Sequence, residues 1–224
     1  MKINHFGALG AHEVARAVRV CRKNRLGFRN FTCRERVRLV SRIRQLEAEN
    51  ARLERLVITD DLTGAYNRRY FDDAARRIPE RRMCKRSFAF CLFDVDNFKA
   101  YNDTYGHAAG DDALRLIAHV TMNQLRHNQD LLYRLGGDEF CMVLCVESAT
   151  VALDIVERVQ DKVRSLALPG PHVHSGFLAI SVGMIWHDGL GLTTPTPQRL
   201  YLEADRMLYQ AKRSGRDRAM IATL

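Results

Sequence analysis

The stretch that decides the fold is LLYRLGGDEFCMVLCV, Leu131 to Val146. Two apolar runs, Leu131–Leu135 and Phe140–Val146, flank two glycines and two carboxylates, which is the pattern of a short β-hairpin. Glycine at 136 and 137 permits positive φ and lets a ligand approach the backbone closely. Asp138 and Glu139 then stand at the tip. An acidic turn alone says little, because turns commonly carry Asp and Gly.

A second acid-tipped run gives the turn its meaning. Phe88–Val95, FAFCLFDV, is continuously apolar until its end, as expected of a central strand buried on both faces. It delivers Asp94 to its C-terminal end, with Asp96 on the same face two residues later. If this strand neighbours the hairpin, Asp94 and Asp138 converge. Two hard oxygen ligands from different strands suit Mg²⁺, with Mn²⁺ as the alternative, leaving the rest of the shell to water and phosphate.

Around these strands the chain alternates between helical and extended patterns. Asp111–Leu125, Ala149–Leu166 and Gln198–Ser214 read as helices, the last stopped at Gly215, and Phe177–Trp186 reads as a strand. Residues 59–224 are therefore expected to form a single α/β (α+β) domain. Ahead of it, Leu39, Ile43, Leu46, Asn50, Leu53 and Val57 alternate at spacings of four and three. Leucine at d, with Ile, Asn and Val at successive a positions, favours two parallel helices in register. Residues 34–58 are thus expected to be a coiled-coil stalk that makes a homodimer; an amphipathic helix lying on its own molecule is the alternative. Residues 1–33 are rich in arginine and predict a basic, helical input or interaction segment.

Composition limits the remaining classes. The 224 residues are 46% hydrophobic and 27% charged, the balance of a soluble globular protein. No run of about 18 apolar residues predicts a membrane span, and the N-terminus has no sustained apolar core of a secretory leader. A cytoplasmic location is expected. Six cysteines lack CxxC spacing, and several lie in apolar runs, so buried free thiols are expected. The formal charge of +9 suits a polyanionic ligand, nucleic acid or an anionic membrane. Charge alone assigns no nucleic-acid partner, and membrane contact by the basic N-terminus stays open.

Four linked motifs carry a family resemblance: TDDLTGAYNRRYF, FDVDNFKAYNDTYGHAAGDDAL, RLGGDEF and ADRMLYQAKRSGRDR, over about residues 59 to 220. In order and spacing they resemble the GGDEF family of diguanylate cyclases. The resemblance implies a palm-like nucleotidyl-cyclase fold, a largely antiparallel central sheet flanked by helices. It also implies condensation of two GTP into cyclic di-GMP. By the same resemblance Asp94, the Val95 carbonyl, Asp138 and Glu139 would serve the metals, and Asp138 would accept the proton of the attacking 3′-hydroxyl. Lys99 would stabilise the transition state. Asn102, His107 and Asp111 would bind guanine, whose N1–H and exocyclic amine are donors that a carboxylate accepts well. Lys212 and Arg216 would clamp the terminal phosphates beside Gly136 and Gly137. Asp60 and Arg68 are expected to fix the joint between stalk and domain.

One position departs from the family pattern. The product-inhibition motif RxxD has its acid at Asp130, but His127 stands where arginine is expected and Arg126 is one step out. Cyclic di-GMP is therefore expected to inhibit poorly. A catalytically inactive relative that only binds GTP or cyclic di-GMP is the competing reading, and it predicts damage at the metal acids.

Overall fold

The computed structural model describes residues 40–49, 58–77, 87–126, 129–170, 176–189 and 195–224. The chain divides into two units, Met1–Leu53 and Glu54–Leu224. In the first, residues 40–49 are helical, and the seam positions Ile43 and Leu46 are each 52% exposed. Leu39, Asn50, Leu53 and Val57 of the expected seam, and the whole of residues 1–33, lie outside the described residues.

The second unit runs β1 (Tyr66–Asn67), α1 (Arg68–Arg77), β2 (Phe88–Val95), α2 (Phe98–Tyr105), α3 (His107–Met122), β3 (Leu131–Gly136), β4 (Glu139–Leu144), α4 (Ala149–Ser165), β5 (Ile180–His187), α5 (Pro197–Arg213) and β6 (Ala219–Thr223). Its six strands form one sheet in the order β1-β3-β4-β2-β5-β6. The inner pairs are antiparallel and the two outer pairs parallel, so a largely antiparallel centre is realised.

β2 is the central strand, as its continuous apolar run predicts. Cys91, Phe93 and Val95 face one core with Leu114 and Ile117 of α3 and Val156 of α4. Phe88, Phe90 and Leu92 face a second core with Phe71 of α1 and Leu200, Ala204 and Leu208 of α5. Burial on both faces is why the run does not alternate. The helices start where the chemistry allows: Ser148 Oγ accepts from Val151 N at 3.2 Å ahead of α4, and Thr196 Oγ1 accepts from Arg199 N at 3.3 Å ahead of Pro197 and α5. Gly183 of β5 lets α5 lie directly on the sheet, since a Cβ there would stand 2.9 Å from Leu208 Cα. That close approach positions the C-terminal end of α5 over the end of β2.

Several boundaries differ from the sequence expectation. The helix expected from Asp111 begins four residues earlier, at His107, because Gly106 (φ 85°) breaks α2 from α3. The strand expected at Phe177–Trp186 is Ile180–His187. Cys91 and Cys141 are buried free thiols, but Cys145 is disulfide-bonded, which corrects the expectation for that residue. Cys145 follows the end of β4, half-buried, whereas the two free thiols sit inside core strands. Among the described residues no helix is long and apolar enough to cross a membrane.

Candidate active site at the end of the central strands

β2 and β4 pair with Asp94 opposite Glu139, so the two acids share a face at the same end of the sheet. The β3–β4 turn brings Asp138 beside them, with Val95 N donating to the Asp138 carbonyl at 3.4 Å. Gly137 sits at φ 51°, the left-handed region that glycine adopts freely. A Cβ on either Gly136 or Gly137 would point into open space, so the room expected beside the turn exists.

Asp94 is the electrostatic centre of this group. Burial, opposed by a hydrogen bond from Lys212 but reinforced by the negative charges of Asp138 and Asp96, pushes its carboxyl up to about 6. Lys212 Nζ stands 2.8 Å from Asp94 Oδ1, and the single ammonium does not offset the desolvation. A site that raises the pKa of its own acid is short of positive charge. Among the described residues no three His, Cys, Asp or Glu side chains gather as a metal cluster. Magnesium does not require one, since it is commonly held by one or two carboxylates with phosphate and water completing the octahedron. Asp94, Asp138 and the Val95 carbonyl fit that demand.

Asp96 has a different task from Asp94. It is 1% exposed, burial pushes its carboxyl up, and it accepts from Ser181 Oγ at 2.7 Å and from Asp217 N at 3.0 Å. The second bond holds a loop in which Gly215, Arg216 and Asp217 all have positive φ (116°, 63° and 49°). Left-handed Arg and Asp cost free energy and persist where surrounding contacts over-determine them. Here those contacts are Asp96, an Arg164–Asp217 ion pair and Arg216 N donating to Ala211 O at 3.1 Å. Arg216 is thereby presented, exposed, one turn beyond Lys212.

The signature turn has its own brace. Arg134 Nε and Nη2 donate to the Gly137 carbonyl at 2.9 and 2.8 Å, while Nη1 pairs with Asp60 Oδ1 at 3.0 Å. Burial would raise the Asp60 carboxyl, but hydrogen bonds from Thr63 and Arg134 hold it below the ordinary carboxylate range. An open cleft of about 640 Å³ beside the turn is lined by Asp60, Asn67, Arg68, Arg69 and Arg134. Arg134 and Gly137 both lie in the quoted motif, but Asp60 stands 74 positions away and carried no local signal.

The remaining residues lie on α2 and α3. Lys99, His107 and Asp111 are exposed, and Asn102 is half-buried between the two helices. Asp130 is enclosed: its side chain has no exposure, Oδ2 accepts from Arg126 N (2.9 Å) and Nε (3.0 Å), and Oδ1 from Arg126 Nη2 (3.0 Å) and Cys145 N (2.9 Å). All four lone-pair positions are filled from its own chain. His127 lies outside the described residues.

A sheet of this order, with acids at the tips of two adjacent antiparallel strands and cations on the covering helix, defines a palm-like nucleotidyl-cyclase domain. Comparison with known proteins gives the family. Residues 57–218 match "Diguanylate cyclase, GGDEF domain", and the chain belongs to this family. It is 34% identical over 181 residues to diguanylate cyclase DosC of Escherichia coli K12, covering 80% of this chain and 38% of that protein. Probable diguanylate cyclase DgcC of the same organism is 33% identical over 180 residues, 80% of this chain and 47% of the relative. The chain thus spans less than half the length of these relatives. Among solved structures it resembles the coiled coil and GGDEF domain of DgcB from Caulobacter crescentus in complex with c-di-GMP (TM-score 0.68, 28% identity, 83% of this chain and 96% of that one). It also resembles diguanylate cyclase SiaD from Pseudomonas aeruginosa in complex with its activator SiaC (TM-score 0.68, 32% identity, 94% and 75%).

Proposed function

We propose that the chain is a diguanylate cyclase that condenses two GTP into cyclic di-GMP with release of two pyrophosphates, working as a dimer. The observation that carries this reading is Asp94 paired across β2 and β4 with Glu139 and next to the Asp138 turn, with Lys212 2.8 Å from Asp94. An inactive relative predicts damage among these acids, and all three are present.

Each GTP supplies a 3′-hydroxyl and an α-phosphate. The hydroxyl oxygen forms a bond to the partner's α-phosphorus, the bond to the β-phosphate oxygen breaks, and pyrophosphate leaves. Asp138 accepts the hydroxyl proton, as a positioned carboxylate beside the reacting oxygen can. Asp94, the Val95 carbonyl and Asp138, with support from Glu139, would hold Mg²⁺ or Mn²⁺, which would supply charge neutralisation at the reacting phosphate. Lys212 moves from Asp94 to the triphosphate, and Arg216 joins it from the loop that Asp96 holds. Lys99, exposed on the first turn of α2, stabilises the charge that develops at phosphorus. Asn102, His107 and Asp111 hold guanine, and the open space at Gly136 and Gly137 admits the phosphates.

One domain holds half of a two-fold product. Two must face each other, and most of the entropic cost of reaction lies in that alignment. A parallel coiled coil over residues 34–58 would tether the halves at high effective concentration. The exposed Ile43 and Leu46 support this role.

The test is direct. Purified dimer incubated with GTP and Mg²⁺ is expected to form cyclic di-GMP, and Asp138→Ala to slow turnover by roughly 10³-fold, within the range of a lost general base. No product from a confirmed dimer, or unchanged turnover in Asp138→Ala, overturns the assignment.

A further inference from the structure

The joint between α2 and α3 contains a seat for one side chain. Gly110, buried in the first turn of α3, faces Asn102 on α2. A Cβ at Gly110 would overlap Asn102 Oδ1 and stand 2.9 Å from its Cγ and 3.1 Å from Phe98 Cζ. Asn102 Oδ1 is buried there and accepts no hydrogen bond from any described residue. Buried acceptors are seldom left unpaired without a reason. Gly110 is not required by its backbone, because its helical φ suits any residue and glycine weakens a helix interior relative to alanine.

We propose that Gly110 is a positioning residue for guanine recognition: its missing side chain is the seat in which the Asn102 amide is held beside Asp111. The inference rests on the reading of Asn102 and Asp111 as base readers. The rest follows from geometry. The backbone on either side of the amide is set by Gly106 N donating to Asn102 O at 2.8 Å and by Gly110 N donating to Gly106 O at 3.2 Å. With that backbone in place, the amide orientation depends on what fills the gap between the helices. A methyl group at 110 displaces the amide end of Asn102, which can swing away at little cost to the fold. The damage is therefore to recognition and not to stability. Asp111, the next residue on α3, keeps its own position, so half of the guanine contact survives.

The test is a double-mutant cycle on the full chain with Gly110→Ala, Asn102→Ala and the double variant. Each is assayed for affinity toward a non-hydrolysable GTP analogue in Mg²⁺ and for thermal unfolding. Gly110→Ala is expected to weaken binding roughly tenfold, about one hydrogen bond's worth, with the melting temperature unchanged or raised. In the Asn102→Ala background the same change is expected to have no further effect, because the amide it displaces is gone. Equal weakening in both backgrounds, or weakening accompanied by a matching loss of stability, overturns the proposal. Unchanged affinity in Gly110→Ala while Asn102→Ala weakens binding overturns it too, and leaves Asn102 as a base reader. Full affinity in Asn102→Ala overturns the base-reader reading itself, and the proposal with it.

Discussion

Asp94→Asn is expected to be more stable than the natural chain at pH 8 and to turn over GTP about a thousandfold more slowly. The stability gain follows from the raised carboxyl. In the folded state its pKa is about 6 against an ordinary 3.8. The fold therefore favours the protonated acid. That contribution is complete below about pH 4 and is lost as pH rises through 6. At pH 8 the natural chain carries an ionised acid that the fold disfavours by roughly 3 kcal/mol. The raised value is already net of the Lys212 ion pair; asparagine carries no charge but replaces the carboxyl imperfectly, so a gain of about 1–2 kcal/mol is expected. Denaturant unfolding at pH 5 and pH 8 reads this directly: the advantage of the variant should be larger at the higher pH. A variant less stable at pH 8 would mean that the Lys212 pair outweighs desolvation.

The activity loss has the same source. On the proposed reading the charge deficit that costs stability is what would attract a cation, and removing Asp94 as a ligand would forfeit several kcal/mol of transition-state stabilisation. Cation binding must displace the proton of Asp94, so added Mg²⁺ should raise the melting temperature more at pH 8 than at pH 5. That metal-induced shift should vanish in Asp94→Asn. A shift of full size in the variant would remove Asp94 from the metal set.

Asp130→Ala is expected to lower stability by about 3 kcal/mol, roughly 10 °C in melting temperature for a domain of this size. Asp130 ties the end of α3, through Arg126, to the end of β4, through Cys145 N. Removing it strands a buried amide and frees an arginine. An acid with every lone pair filled by its own chain has none to offer a guanine edge, so cyclic di-GMP is expected to inhibit the natural chain poorly. Sub-micromolar binding of cyclic di-GMP that is lost in Asp130→Ala would show the opposite. Thermal unfolding and product inhibition measured on the same preparation check both halves.

The legible elements were those whose signal is local. β2 announced itself by a near-continuous apolar run ending in Asp94, the hairpin by GGDE between two apolar arms, α4 by its period, and α5 by its period and the stop at Gly215. β1 and β6 were not read, since two and five residues with mixed burial carry almost no periodicity. They belong to the sheet because β3 and β5 offer them unpaired edges. α2 went unread because its eight residues, FKAYNDTY, bury only Phe98 and Tyr101.

By itself the sequence determined the family, through the linked spacing of its motifs, and named the candidate acids, cations and glycines of the site. Those are chemical identities and local turns, encoded within a few residues of each other. What only the tertiary structure decided is how the parts are employed. Asp94 and Asp96 are two residues apart and look equivalent in the chain. One, paired with Lys212 and crowded by Asp138, is left short of positive charge, and the other is consumed by Ser181 and Asp217, residues more than eighty positions away. Asp130 resembles a ligand-binding acid until Arg126 and Cys145 N are found to saturate it. Gly110 looks like any helical glycine until Asn102 is found in its place. A carboxylate or a gap acts according to what fills the space around it, and that space is built by segments that meet only in the fold.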